Sequence, residues 1–118
     1  MILVVDDNEF NQALTRAVLE RAGYEVEAVS SGAAALAAIS ERRPELVLMD
    51  VALPDRDGLL VTRDLKAQPA TADIPIVALT AHAMVGDEAH ALEAGCSGYI
   101  GKPINTRTFA QEIARFLE

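Results

Sequence analysis

Five positions carry the residue types that could do chemistry: Asp6 and Asp7, Asp50, Thr80 and Lys102. Each stands at the end of a short apolar run or just past it. If those runs are parallel strands, their ends share one rim, and the rim gathers three carboxylates, a hydroxyl and an ammonium. Two carboxylates about 4 Å apart repel by about 4 kcal/mol at an effective dielectric near 20. One divalent cation together with Lys102 balances all three. Oxygen ligands select a hard ion, and few carboxylates completed by water suit Mg²⁺ better than Ca²⁺. A carboxylate oxygen beside such an ion is the arrangement for phosphoryl transfer, where positioning and charge neutralisation carry most of the catalysis. Asp50 is then the nucleophile, and Thr80 and Lys102 hold the phosphoryl oxygens.

The elements that must position these groups are legible from hydrophobic periodicity. Leu46-Val47-Leu48-Met49 is a continuous apolar run between Pro44 and the turn Pro54–Gly58, as a central parallel strand ending at Asp50 requires. In open α/β sheets, ligands collect just outside the carboxyl ends of such strands. Ile2 to Val5 reads as a second buried strand. A helix follows, with Asn8 as N-cap, Phe10, Ala13, Leu14, Ala17 and Val18 as the stripe facing the sheet, and Gly23 at its end. Glu25 to Val29 alternates polar and apolar like an edge strand. Ser31 caps a second helix with Ala35, Leu36 and Ile39 inward, and Asp57 caps a third with Val61, Thr62 and Leu65 inward. A polar link, Gln68 to Asp73, leads to a strand from Ile74 to Leu79. A fourth helix is expected to bury Val85, Ala89 and Leu92 and to stop at Gly95. A short strand, Tyr99-Ile100, precedes Lys102, and a last helix carries Phe109, Ile113, Phe116 and Leu117. Five strands alternating with five helices imply right-handed crossovers and a three-layer α/β domain.

Bulk properties narrow the function. At 118 residues the chain is one domain, residues 1–118, with enough length for a core. A net charge of −8 argues against a phosphate-backbone surface, so direct nucleic-acid binding is not expected. No apolar run is long enough to span a membrane, and no signal peptide opens the chain. The single cysteine, Cys96, points to a reducing cytoplasm and to a packed residue rather than a redox centre.

The ordered set Asp6-Asp7, Asp50, Thr80-Ala81 and Lys102-Pro103 strongly resembles the receiver domain of bacterial two-component response regulators, over the whole chain. Leu48-Met49-Asp50, Leu53-Pro54, Asp57-Gly58 and Gly95-Cys96 add to the likeness. The resemblance implies a flavodoxin-like, doubly wound (βα)5 sheet of order 2-1-3-4-5, with the site at the switch point between the first and third strands. It implies that Asp50 accepts a phosphoryl group from a phosphohistidine donor. Asp7, Asp50 and the backbone carbonyl of Ala52 would hold Mg²⁺, or Mn²⁺ in its place, with Asp6 acting through a metal-bound water. Thr80 would be the switch hydroxyl, Tyr99 the switch aromatic, Lys102 the phosphoryl-binding cation, and the amides of Ala52 and Ala81 further donors. Ala52 and His82 occupy the positions that tune phosphoryl lifetime, and the bond before Pro103 is expected to be cis. The partners implied are a histidine kinase or histidine phosphotransfer protein and an output protein or domain. They would read the surface of the fourth helix, last strand and last helix. The only catalysis implied is of the chain's own aspartyl phosphorylation and dephosphorylation.

Competing readings are weaker on the residues. An aspartate-nucleophile phosphohydrolase of the haloacid dehalogenase type places an acid two residues after its nucleophile, where this chain has Ala52. A calcium loop with Gly58 at its sixth position puts Leu53 where an acid is needed. No Gly-rich turn follows the first strand, which excludes a dinucleotide site. A phosphate-independent docking module would not need Asp7, Asp50, Thr80 and Lys102 together. His82 and His90 are expected to be exposed. Asp7-Asn8-Glu9-Phe10-Asn11 resembles receivers of hybrid kinases and of some single-domain regulators, so the chain reads as either a stand-alone regulator or a receiver from a larger protein.

Overall fold

Side chains on a strand point alternately to opposite faces, and the buried residues of this chain sort into two clusters on that period. The structure, a computed structural model, describes residues 1–80 and 87–117. Its elements are β1 (Ile2–Val5), α1 (Glu9–Arg21), β2 (Val26–Val29), α2 (Gly32–Glu41), β3 (Leu46–Asp50), α3 (Gly58–Ala67), β4 (Ile76–Thr80), α4 (Asp87–Ala94), β5 (Gly98–Gly101) and α5 (Phe109–Leu117). All strand pairs are parallel, in the order β2-β1-β3-β4-β5. Leu3, Val5, Val47, Met49 and Ala78 face Ala35, Ile39, Val61, Leu65 and Ala91, the layer of α2, α3 and α4. Ile2, Val4, Leu48, Val77 and Leu79 face Leu19, Phe109 and Ile113, the layer of α1 and α5. The expected three-layer architecture and strand order are those observed.

The caps are where the sequence puts them. Asn8 Oδ1 accepts from Asn11 N at 3.0 Å, Ser31 Oγ from Ala34 N at 3.1 Å, and Asp57 Oδ1 from Leu59 N at 2.8 Å. Gly23, just past α1, has φ +99°, and no atom lies within 4 Å of where its Cβ would be. Substitution there is purely a conformational matter. Gly23→Ala is expected to cost about 1–2 kcal/mol, the penalty of left-handed backbone for an L-residue, read by urea unfolding with an unchanged m-value.

Two helix stripes differ from expectation. On α1, Phe10 is 73% exposed, Ala13 and Ala17 are exposed, and the buried residues are Thr15 and Leu19, with Leu14 and Val18 half-buried. The helix is rotated by about one position because its phase is fixed by polar contacts. The Gln12 side-chain amide donates to the carbonyl of Asp6, to Val29 O at 2.8 Å and to Ser30 Oγ at 3.2 Å, pinning α1 to the ends of β1 and β2. On α4, Ala91 and Ala94 are buried, whereas Ala89 is exposed and Leu92 is 49% exposed; Val85 lies outside the described residues. Small residues let α4 approach α3 and β5 closely, and this outweighs the larger apolar area of Leu92. β4 begins at Ile76 rather than Ile74, because the amide of Ile74 is taken by a turn to Thr71 O, and Pro75 has no N–H to give. β5 runs Gly98–Gly101, longer than Tyr99-Ile100 alone.

Candidate functional site

Strand register brings the chemical residues level. Val5 pairs with Met49, Asp50 with Leu79, and Thr80 with Gly101. Asp6 therefore leaves β1 beside Asp50, and Lys102 leaves β5 beside Thr80. Asp6, Asp50 and Thr80 are buried, Lys102 is half-buried and Asp7 is exposed. Asp7, Asp50, Ala52, Thr80, Tyr99 and Lys102 line one cleft of about 570 Å³ at the carboxyl edge of the sheet. Asp6 lines it too, so all five of the positions Asp6, Asp7, Asp50, Thr80 and Lys102 meet in one place. Half-buried Tyr99 lies on the same cleft. The Lys102–Pro103 peptide is cis. Ala81 and His82 lie outside the described residues. His90 is exposed, and its side chain also borders the cleft.

Each carboxylate has defined partners. Asp6 Oδ1 accepts from Asn8 N at 2.9 Å, and its Oδ2 from Lys102 Nζ at 2.6 Å. Asp50 Oδ1 accepts from Ala52 N at 3.1 Å, and its Oδ2 from Lys102 Nζ at 3.1 Å. Burial pushes the Asp50 carboxyl above its ordinary range, and the Asp6 charge adds to that. The Ala52 amide and Lys102 act against the rise without cancelling it. Burial works against the charged Lys102 ammonium, but its hydrogen bonds to Asp6 and Asp50 prevail and hold it above the usual lysine value. One lysine facing two buried acids leaves the pocket short of positive charge.

Oxygen atoms of Asp6, Asp7 and Asp50 lie within 4.8 Å of one another, so the described residues offer an all-oxygen set for a hard divalent cation. Asp7 is the exposed member, while both oxygens of Asp6 are already engaged. The donor set fits the ion expected from the sequence.

The loop from β3 to α3 closes tightly behind Asp50. Val51 N donates to Leu79 O at 3.1 Å, Gly58 N to Val51 O at 2.9 Å, and Ala52 bridges to Asp57. Gly58 lies against the backbone of Asp50: a Cβ there would sit 2.0 Å from the Asp50 carbonyl oxygen. Two residues that serve the site went unread in the sequence. Gln12 ties α1 to the strand ends, and a polar residue four after an N-cap was the available signal. Asp55 accepts hydrogen bonds from Gly32 N at 2.9 Å and Ala33 N at 3.0 Å, a contact between distant segments that no local pattern announces.

A doubly wound parallel sheet with an acidic, lysine-bearing cleft at its switch point defines the class of the CheY-type signalling domains. The chain belongs to the response regulator receiver domain family, whose model matches residues 2–114, and it acts in phosphorelay signal transduction. The polar-differentiation response regulator DivK of Brucella anthropi is 42% identical over 116 residues, covering 98% of this chain and 94% of that protein. The receiver domain of the sensor histidine kinase PA1611 of Pseudomonas aeruginosa aligns at a TM-score of 0.89 and 37% identity, covering 98% of this chain and 95% of that one; that structure has a magnesium ion coordinated in its active-site cleft. Chemotaxis protein CheY4 of Vibrio cholerae aligns at a TM-score of 0.91 and 28% identity, over 98% of this chain and 97% of that one. Among the described residues no helix is long and apolar enough to cross a membrane.

Proposed function

We propose that Asp50 accepts the phosphoryl group, and that residues 1–118 work as one receiver unit in the cytoplasm. The observation that carries this is the held geometry of its carboxylate at the floor of the cleft. The Ala52 amide fixes one oxygen and Lys102 contacts the other. An Asp50 oxygen attacks phosphorus in line, an O–P bond forms and the donor's P–N bond breaks. The electron pair goes to the imidazole nitrogen, which takes up a proton. Lys102, Thr80 and the amides of Ala52 and Ala81 receive the phosphoryl oxygens.

Asp7, Asp50 and the Ala52 carbonyl would hold Mg²⁺, with Mn²⁺ as its substitute, and Asp6 would act through a bound water. That role for Asp6 suits a carboxylate whose two oxygens are already hydrogen-bonded. The ion would neutralise charge on the phosphoryl oxygens. Movement of Thr80 toward the phosphoryl group would let Tyr99 turn inward and change the α4–β5–α5 surface. This is a shift between two states, set by the differential affinity of the phosphorylated site for them. The donor would be a histidine kinase or histidine phosphotransfer protein, and the reader an output protein or domain. Ala52 cannot orient a water, so His82 is the residue that would tune hydrolysis.

Incubation with Mg²⁺ and a small acyl phosphate is expected to add one phosphoryl group per chain, seen by intact mass. A chelator should abolish it. Steady turnover of a phosphomonoester without a stable adduct would contradict the reading and point to a phosphohydrolase.

A further inference from the structure

The loop carrying Ala52 is held at its far side by a contact that the phosphoryl chemistry described above does not use. Asp55 lies at the outer part of this loop, between β3 and α3, and both its carboxylate oxygens accept from the first two amides of α2. The third amide, Ala34 N, is satisfied by the helix's own cap, Ser31. The start of α2 is thus shared: part is closed by its own residue and part by the loop that follows Asp50. A helix N-terminus favours a carboxylate through its free N–H groups and its dipole, and these contacts hold the Asp55 carboxyl below the usual range. The neighbouring Arg56 lays its aliphatic stem across the same helix end. A Cβ on Gly32 would meet Arg56 Cγ at 2.6 Å, so the missing side chain leaves room for the loop to cross. From Asp55 the backbone runs back through Leu53, half-buried against the core, to Ala52, whose amide holds Asp50 Oδ1.

We propose that Asp55 is a positioning residue for phosphoryl acceptance: by clamping the β3–α3 loop to α2 it fixes the Ala52 backbone, and through it the orientation of the Asp50 carboxylate. The inference rests on Asp50 being the acceptor. Loss of the clamp leaves the acceptor and the lysine intact but lets the loop depart from the geometry that holds the Ala52 amide on Asp50 Oδ1. The effect belongs to the rate and to its Mg²⁺ dependence, not to the number of sites labelled.

The test compares wild type, Asp55→Ala, Asp55→Asn and Ser31→Ala in the full chain. The labelling rate with a small acyl phosphate is followed across a range of Mg²⁺ concentrations, well below each Tm. Asp55→Ala is expected to be labelled once, still at Asp50, but about tenfold more slowly at low Mg²⁺, as loss of a supporting partner around a metal site typically produces. Asp55→Asn keeps an acceptor oxygen and should fall between it and wild type. Ser31→Ala removes a cap from the same helix end without releasing the loop. It should lower Tm while leaving rate and Mg²⁺ dependence within about twofold of wild type, since its cost lies in the helix alone. A wild-type profile for Asp55→Ala, or an equal slowing in Ser31→Ala, overturns the clamp. A wild-type protein that takes no label overturns the acceptor assignment instead, so the two failures are distinguishable.

Discussion

Asp50→Asn is expected to lose all phosphoryl labelling and, in the absence of divalent ions, to melt several degrees above wild type at neutral pH. The first effect follows from chemistry: an amide oxygen is too poor a nucleophile to displace the donor. The second follows from burial. The Asp50 carboxyl is held above its ordinary range chiefly because its charged form is desolvated, with the Asp6 charge contributing. The folded chain therefore binds this proton more tightly than the unfolded chain does, and stability falls as pH rises between the unfolded and the folded pKa. The penalty is fully present above the folded value and absent below the unfolded one. Asparagine carries no charge to desolvate, and its oxygen can still accept from the Ala52 amide or from Lys102. The advantage of the variant should thus appear at neutral pH and close as pH drops through the carboxylate range. For a domain of this size ~1 kcal/mol moves Tm by roughly 3–6 °C. Thermal melts across pH, in chelator, read the difference. An Asp50→Asn chain that still takes the label, or that melts below wild type at neutral pH, contradicts the account.

Gly58→Ala is expected to cost about 3 kcal/mol or more, the upper end of what overpacking produces. Its Cβ would stand 2.0 Å from the Asp50 carbonyl oxygen, 3.0 Å from the carbonyl carbon and 3.1 Å from Val51 Cα. All three are backbone atoms of the central strand's end and cannot step aside. Overpacking of side chains typically costs 1–3 kcal/mol, and backbone neighbours have less freedom to yield. The strand end that must shift is the one bearing Asp50, so labelling at low denaturant should slow as well. At Gly32 the same methyl would meet side chains alone, the flexible stem of Arg56 first and then Val61 Cγ2 at 3.1 Å, so the severity at Gly58 comes from the backbone that surrounds it. Urea unfolding gives the stability loss, and a variant within 1 kcal/mol of wild type would contradict the packing argument.

The frame of this fold is legible in the sequence because parallel strands buried on both faces leave continuous apolar runs, and their ends announce themselves by polarity. Asp6, Asp50 and Thr80 stand out for that reason, and Asn8, Ser31 and Asp57 announce their helices by capping chemistry. Helix phase was less legible. In α1 apolar residues occur on more than one side, so Phe10 reads as core when Gln12 and Asn8 have in fact turned it outward. In α4 the buried face is alanine, which carries little hydrophobic contrast against Leu92. Asp55 was illegible for a different reason: its partners are far away in sequence, and nothing local marks a carboxylate that caps another segment's helix.

The contact between Lys102 and Asp6 joins residues 96 positions apart. Few single interactions in a chain of this length reach so nearly from one end to the other. During synthesis the amino-terminal strands emerge first, and β1 and β3 can pair before β5 exists. A chain stopped short of β5 would present its acidic cluster with no lysine to offset it and no strand beside Thr80. Competence to receive the signal therefore arrives with the last strand. A half-made chain is expected to be silent, and loss of the carboxyl-terminal quarter by proteolysis to erase the response rather than leave it partly switched on.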